Sequence, residues 1–168
     1  MAGADSYEED ISQGAVFNAD GERETCLPVA VVDTSYLASA LLSDYCSDES
    51  AESRAFIQDL ISKNGQIVVP QVFWYEIGNV LLNASRPRKN GDGARITALQ
   101  LEDIMLLLGE LPIYADPQPT AEIRARILHI AREQNLSYYD ASYLELARRK
   151  ALPLKTWDAQ LLQAAILS

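Results

Sequence analysis

Val29-Ala30-Val31-Val32-Asp33-Thr34-Ser35 is the stretch that decides the fold. Its first four residues are apolar and mostly β-branched. That composition suits a central parallel strand covered on both faces. The run stops at an acid followed by two hydroxyl residues, as at a strand-to-helix junction. Ser35 is expected to cap a helix over Tyr36–Leu42.

Toward the C-terminus the same alternation recurs. A helix over about residues 50–63 is entered through the polar segment SDYCSDES and stopped by Asn64-Gly65. Ile67–Val69 is a second buried strand, and Pro70 ends it and opens a helix from about Gln71 to Ala84. SRPRKNGDG, residues 85–93, is a loop rich in Pro and Gly. A helix over about Ile96–Leu108 precedes a weak strand, Pro112–Tyr114. Thr120 caps a helix to about Gln134. Another helix runs from near Tyr139 to about Lys150, then a short strand Pro153–Lys155 and a last helix Ala159–Leu167. The order βααβααβααβα implies an α/β fold built of parallel units with right-handed crossovers.

Toward the N-terminus the character changes. Residues 1–27 carry seven acids and one base, Arg23, and show little periodicity. They are expected to form a flexible acidic extension, with the folded domain over residues 28–168. Residues 28–168 carry 17 acids and 13 bases, so most of the net charge of −10 sits in the extension. A broad basic binding face is therefore excluded, but an anionic substrate at a metal-neutralised site is not. No apolar run approaches the roughly 20 residues of a membrane span. The N-terminus lacks the basic and apolar regions of a secretory signal, so a cytoplasmic location is the expectation. Cys26 and Cys46 match no zinc-binding spacing and are expected to be ordinary small apolar side chains.

Four acids fall near strand-to-helix junctions: Asp33, Glu76, Asp140 and Asp158. In open parallel sheets such junctions meet at the carboxyl edge, where ligands bind. Each acid alone reads as a turn residue, a cap or a solvated charge. Four together repel one another, and hard divalent cations resolve that repulsion. On the Glu76 helix, Phe73, Ile77, Val80, Leu81 and Ala84 form the buried stripe. Glu76 lies about 100° from Ile77, at the stripe's flank. Asn79 and Asn83 share its strip, and Asn79 could hold the Glu76 carboxylate. The only histidine, His129, lies mid-helix and far from these motifs.

These segments resemble the PIN-domain family, and most closely its VapC-type toxin ribonucleases. The matching stretches are VVDTS, the VVPQVFWYEIGNVLL block, YDASYLELA and PLKTWDAQLL. The resemblance spans about Val29 to Ala165. It implies a three-layer α/β/α sandwich with a short parallel sheet of four or five strands. It also implies that Asp33, Glu76, Asp140 and Asp158 bind Mg²⁺ or Mn²⁺ and carry catalysis, with Ser35, Asn79 and Thr156 beside them. The implied activity is metal-dependent hydrolysis of RNA phosphodiesters, with a homodimer and a protein antitoxin as partners. Arg86, Arg88 and Lys89 form a basic loop suited to the RNA backbone. Arg148, Arg149 and Lys150 either do the same or complement a helix dipole. Trp74 and Tyr75 cannot both be buried with Phe73, so one is expected to face a partner.

Two features depart from the family pattern. The acidic extension is no part of its core, and a last edge strand after the Asp158 helix is missing. Three other functions compete. One is a different PIN nuclease role, in RNA processing or DNA cleavage. Another is an inactive PIN domain used for binding. The third is a non-catalytic Mg²⁺-binding signalling module, suggested by Lys155-Thr156, which would need two adjacent acids after the first strand.

Overall fold

The computed structural model describes residues 16–17, 23–24, 27–42, 47–88 and 93–166. Four strands form one parallel sheet: β3 (Val29–Val32), β4 (Gln66–Val69), β5 (Ile113–Ala115) and β6 (Leu154–Lys155). Their order is β5-β4-β3-β6. Val31 is in register with Val68 on one side and Leu154 on the other. The chain therefore reverses its direction of winding at β3, which places a topological switch point between β3 and β6.

Among the described residues seven helices surround the sheet. They are α1 (Thr34–Leu41), α2 (Ser47–Ser62), α3 (Phe73–Ala84), α4 (Ala98–Glu110), α5 (Ala121–Glu133), α6 (Tyr138–Lys150) and α7 (Ala159–Ile166). Helix α1 packs on α2 and α3, while α6 packs on α5, α7 and β3. The result is the expected three-layer α/β/α sandwich. Its core joins Val31, Val32, Ile67 and Val69 of the sheet to Leu37, Phe73, Ile77, Leu144 and Leu161 of the helices.

Among the described residues the main sheet has four strands. A separate two-residue antiparallel pair, β1 (Val16–Phe17) with β2 (Arg23–Glu24), lies within the stretch read as an extension. It does not join the main sheet. Cys26 and Cys46 lie outside the described residues.

Several helix starts differ from expectation. Asp33, not Ser35, caps α1: its backbone is extended, and its carboxylate accepts from the Thr34 and Ser35 amides. An acid one residue beyond the strand reaches the first-turn N–H groups before Ser35 can. Helix α3 begins two residues later than Gln71, after a turn in which the Phe73 amide donates to the Pro70 carbonyl at 3.1 Å. Thr97 starts α4 with a reciprocal capping box to Gln100.

The α2–β4 turn shows why residues 64 and 65 are Asn and Gly. Asn64 takes the left-handed conformation, at φ 54°. Gly65 lies against the Pro28 carbonyl, which any Cβ there would strike. That approach lets the Gln66 amide bond Pro28 and start the β3–β4 ladder.

Candidate active site

Asp33 stands at the carboxyl end of β3, beside the switch point. It is 6% exposed, yet its carboxylate is richly bonded. Oδ1 accepts from the Thr34 amide at 2.6 Å. Oδ2 accepts from Ser35 Oγ at 2.6 Å and from Thr156 Oγ1 at 2.9 Å. Thr156 follows β6, so this bond closes the gap between the two strands. Burial pushes the Asp33 pKa above the ordinary carboxylate value, while the hydroxyl and amide bonds oppose the rise.

Because α3 starts at Phe73, Glu76 lies in its first turn, one turn earlier than expected, and reaches toward α6. Its Oε2 accepts from the Tyr143 hydroxyl at 2.6 Å and from Thr34 Oγ1 at 3.1 Å. Burial raises its pKa, and the nearby charges of Asp33 and Asp140 raise it further. Tyr143 is fully buried, and its own pKa is pushed far up by burial and by the Glu76 carboxylate.

Asp140 lies in the first turn of α6, where the helix dipole favours a negative charge. Ser137 caps that helix: its hydroxyl accepts from the Asp140 amide at 3.0 Å and donates to Asp140 Oδ2 at 2.6 Å. Asp158 is linked to Asp33 through Thr156, whose Oγ1 accepts from the Asp158 amide at 2.9 Å. Its carboxylate accepts from the Leu161 amide at 2.8 Å and so starts α7.

The site therefore has two carboxylates ringed by hydroxyls, Asp33 and Glu76, with Asp140 close enough to Glu76 to repel it. Asp158 sits at the edge. The hydrogen-bond donors to Asp33 and Glu76 named above are hydroxyls and backbone amides. The donor set is of hard oxygen type, which fits a divalent cation. Among the described residues, however, no group of three or more His, Cys, Asp or Glu side chains stands ready to hold one.

The other sequence candidates divide. Ser35 and Thr156 bond Asp33 directly. Asn79 is exposed, and the Glu76 carboxylate is held by Tyr143 and Thr34 instead. Arg86 and Arg88 are exposed on the loop after α3, and Lys89 lies outside the described residues. The second basic cluster is largely committed to structure. Arg149 pairs with Asp116 at 2.7 Å and Glu145 at 3.1 Å, and Lys150 pairs with Asp116 at 3.2 Å. Burial works against the Arg149 charge, but its bonds to Asp116 and Glu145 hold its pKa up. Lys155 lies over the Phe56 ring, 4.7 Å from its centroid. His129 is exposed and pairs with Glu133.

Thr34 and Tyr143 were missed as site members. The available signal was spacing: Tyr143 is three residues after Asp140, on the same helix face. A tyrosine amid apolar helical residues reads as core, and Tyr143 is core at its ring and polar only at its tip.

An apolar cavity of about 120 Å³ lies nearby between α5, α6 and the β4–α3 turn. Pro70, Val72, Pro117, Ile123, Tyr138 and Tyr139 line it, and none of the four acids does.

Comparison with known proteins agrees with the geometry. Among solved structures the chain is similar to PAE2754 from Pyrobaculum aerophilum, with 21% identity and a TM-score of 0.54 over 83% of this chain and 86% of the other. It is also similar to VapC20 from Mycobacterium tuberculosis, a sarcin-ricin loop cleaving toxin. There the identity is 15% and the TM-score 0.57, over 81% of this chain and 94% of the other. No curated protein sequence matches it. A family model for the PIN domain matches residues 30–167, nearly the whole folded body. With the sheet order and the acids at its carboxyl edge, that match means the chain belongs to the PIN-domain family.

Proposed function

We propose that the protein is a divalent-metal-dependent endoribonuclease, the toxin of a toxin–antitoxin pair. The observation that carries this is the placement of Asp33, Glu76 and Asp140. Their charges crowd one partly buried edge, where Asp33 and Asp140 both disfavour the charge on Glu76. The similarity to a toxin that cleaves the sarcin-ricin loop supports RNA as the substrate.

Asp33, Glu76, Asp140 and Asp158 would hold Mg²⁺ or Mn²⁺. When bound, the ion supplies water activation and stabilises charge on the phosphoryl and leaving oxygens. The protein side chains do the positioning. Ser35 and Thr156 fix the Asp33 carboxylate from two elements, so it is ordered before substrate arrives. Glu76 and Asp33 accept protons most readily because burial raises both pKa values. Arg86 and Arg88, exposed after α3, would contact the RNA backbone, with Lys89 the next basic residue in sequence.

The partners in this proposal are a second copy and an antitoxin. Helix α4 supports a partner surface: Leu99, Met105, Leu106 and Leu107 are exposed, and Leu108 is its one fully buried residue.

A PIN domain that binds without cleaving is the second possibility, favoured by one observation. Both Asp33 oxygens already accept from hydroxyl and amide donors, and among the described residues no three-acid group is closed. A signalling module of receiver type is disfavoured, because Lys155 is spent on Phe56.

Purified wild type should cleave RNA with Mg²⁺ or Mn²⁺ and stop when the metal is chelated. Asp33→Asn should abolish cleavage. Activity that survives chelation, or a fully active Asp33→Asn variant, removes the proposal. Wild-type RNA binding without cleavage selects the non-cleaving domain.

A further inference from the structure

We infer that Tyr143, assisted by Thr34, is a positioning residue that fixes which oxygen Glu76 presents to the proposed cation. This deepens the metal-dependent reading of the site and rests on it. Three short contacts form a triangle. The Tyr143 hydroxyl lies 2.6 Å from Glu76 Oε2 and 2.9 Å from Thr34 Oγ1, and Thr34 Oγ1 lies 3.1 Å from the same Oε2. An ionised carboxylate only accepts, so the two hydroxyl protons make two of the three contacts at once. Tyr143 donates to Glu76, and Thr34 donates either to the same carboxylate oxygen or to Tyr143, where it polarises the Tyr143–Glu76 bond. Both contacts to Glu76 fall on Oε2, which leaves Oε1 as the oxygen for the proposed cation.

The triangle also joins three elements. Thr34 opens α1 directly after Asp33, Glu76 is on α3, and Tyr143 is one turn beyond Asp140 on α6. A single buried hydroxyl thus sets the spacing of Asp33, Glu76 and Asp140. Tyr143 is 0% exposed, so water cannot substitute for it. Groups that orient a ligating side chain in this way change metal affinity about 10–100-fold when removed.

The test uses the purified full chain. Tyr143→Phe deletes only the hydroxyl. Its Mn²⁺ dissociation constant, by titration calorimetry, should rise about tenfold or more, while KM for RNA at saturating metal stays unchanged. Thr34→Val should weaken Mn²⁺ binding and Thr34→Ser should restore it, which keeps the test open if Tyr143→Phe fails to fold. Mn²⁺ affinity within twofold of wild type in both hydroxyl-deleted variants overturns the inference. A second readout needs no metal. Wild type should show a slowly exchanging tyrosine hydroxyl proton by NMR, absent in Tyr143→Phe and shifted in Glu76→Gln. A signal insensitive to Glu76→Gln overturns the inference even if wild type binds Mn²⁺. A wild type that takes up no Mn²⁺ removes the metal reading instead, and the proton signal alone then decides whether Tyr143 holds Glu76.

Discussion

Glu76 and Asp33 are carboxylates that the fold makes harder to ionise. Burial is the main cause for both, and neighbouring acids add to it at Glu76. Between the ordinary and the raised pKa, the folded chain holds more protons than the unfolded one. Stability from these groups is therefore lost as pH rises through that window and regained as pH falls through it. Glu76→Gln removes one of the charges and keeps an acceptor for Tyr143. In chelating buffer it should raise the thermal midpoint at neutral pH, and the advantage should shrink toward the ordinary glutamate pKa. Calorimetry across that range checks this, and a midpoint at or below wild type at neutral pH contradicts it. At this scale the sequence exposed the acids but not their partners. Asp33 was legible because it directly follows a strand, where direction is fixed, whereas Ser35 and Thr156 came only with the family resemblance. Asn79 was assigned to Glu76 because it shares a helix strip. The Glu76 side chain turns instead toward α6, and that depends on tertiary packing no local spacing reports.

The elements were legible where hydrophobic runs are unambiguous. Val29–Val32 is β3 residue for residue, and β4 differs from expectation by one residue. Boundaries failed where a side chain competes for the first helical turn, as Asp33 does against Ser35. Helix ends show a related effect. Ala151 closes α6 in the left-handed conformation, at φ 50° and ψ 45°, without the glycine that usually sits there. Ala151→Gly relieves that strain but loosens the unfolded chain, for a net gain of about 0.5–1 kcal/mol. A urea titration should show a higher midpoint at an unchanged slope. An unchanged or lower midpoint means the turn is not strained. Helix α6 is fastened at both ends: by the Ser137 cap at its start, and by Arg149 and Lys150 on Asp116 at its finish.

For the whole molecule, the α/β order and the four-stranded sheet followed from the alternation of short apolar runs with helical patterns. The sheet's strand order did not, since it depends on which strand pairs with β6. The exposed leucines of α4 are also a property of the whole molecule, because a helix with one fully buried residue needs cover from elsewhere. If α4 pairs with a second copy, Leu106→Glu should convert a dimer to a monomer in sedimentation velocity without loss of helical signal. A wild-type monomer, or a variant that remains dimeric, removes α4 as the dimer face. Among the described residues no helix is long and apolar enough to cross a membrane.

The bond from Thr156 to Asp33 spans 123 positions of sequence. Strand β6, which carries Thr156 to its place, pairs only with β3. A ribosome therefore makes Asp33 well before its partner Thr156. Until β6 emerges, β3 is an open edge and the Asp33 carboxylate lacks one of its two hydroxyl donors. Premature termination anywhere before residue 154 would release a chain with an unfinished site.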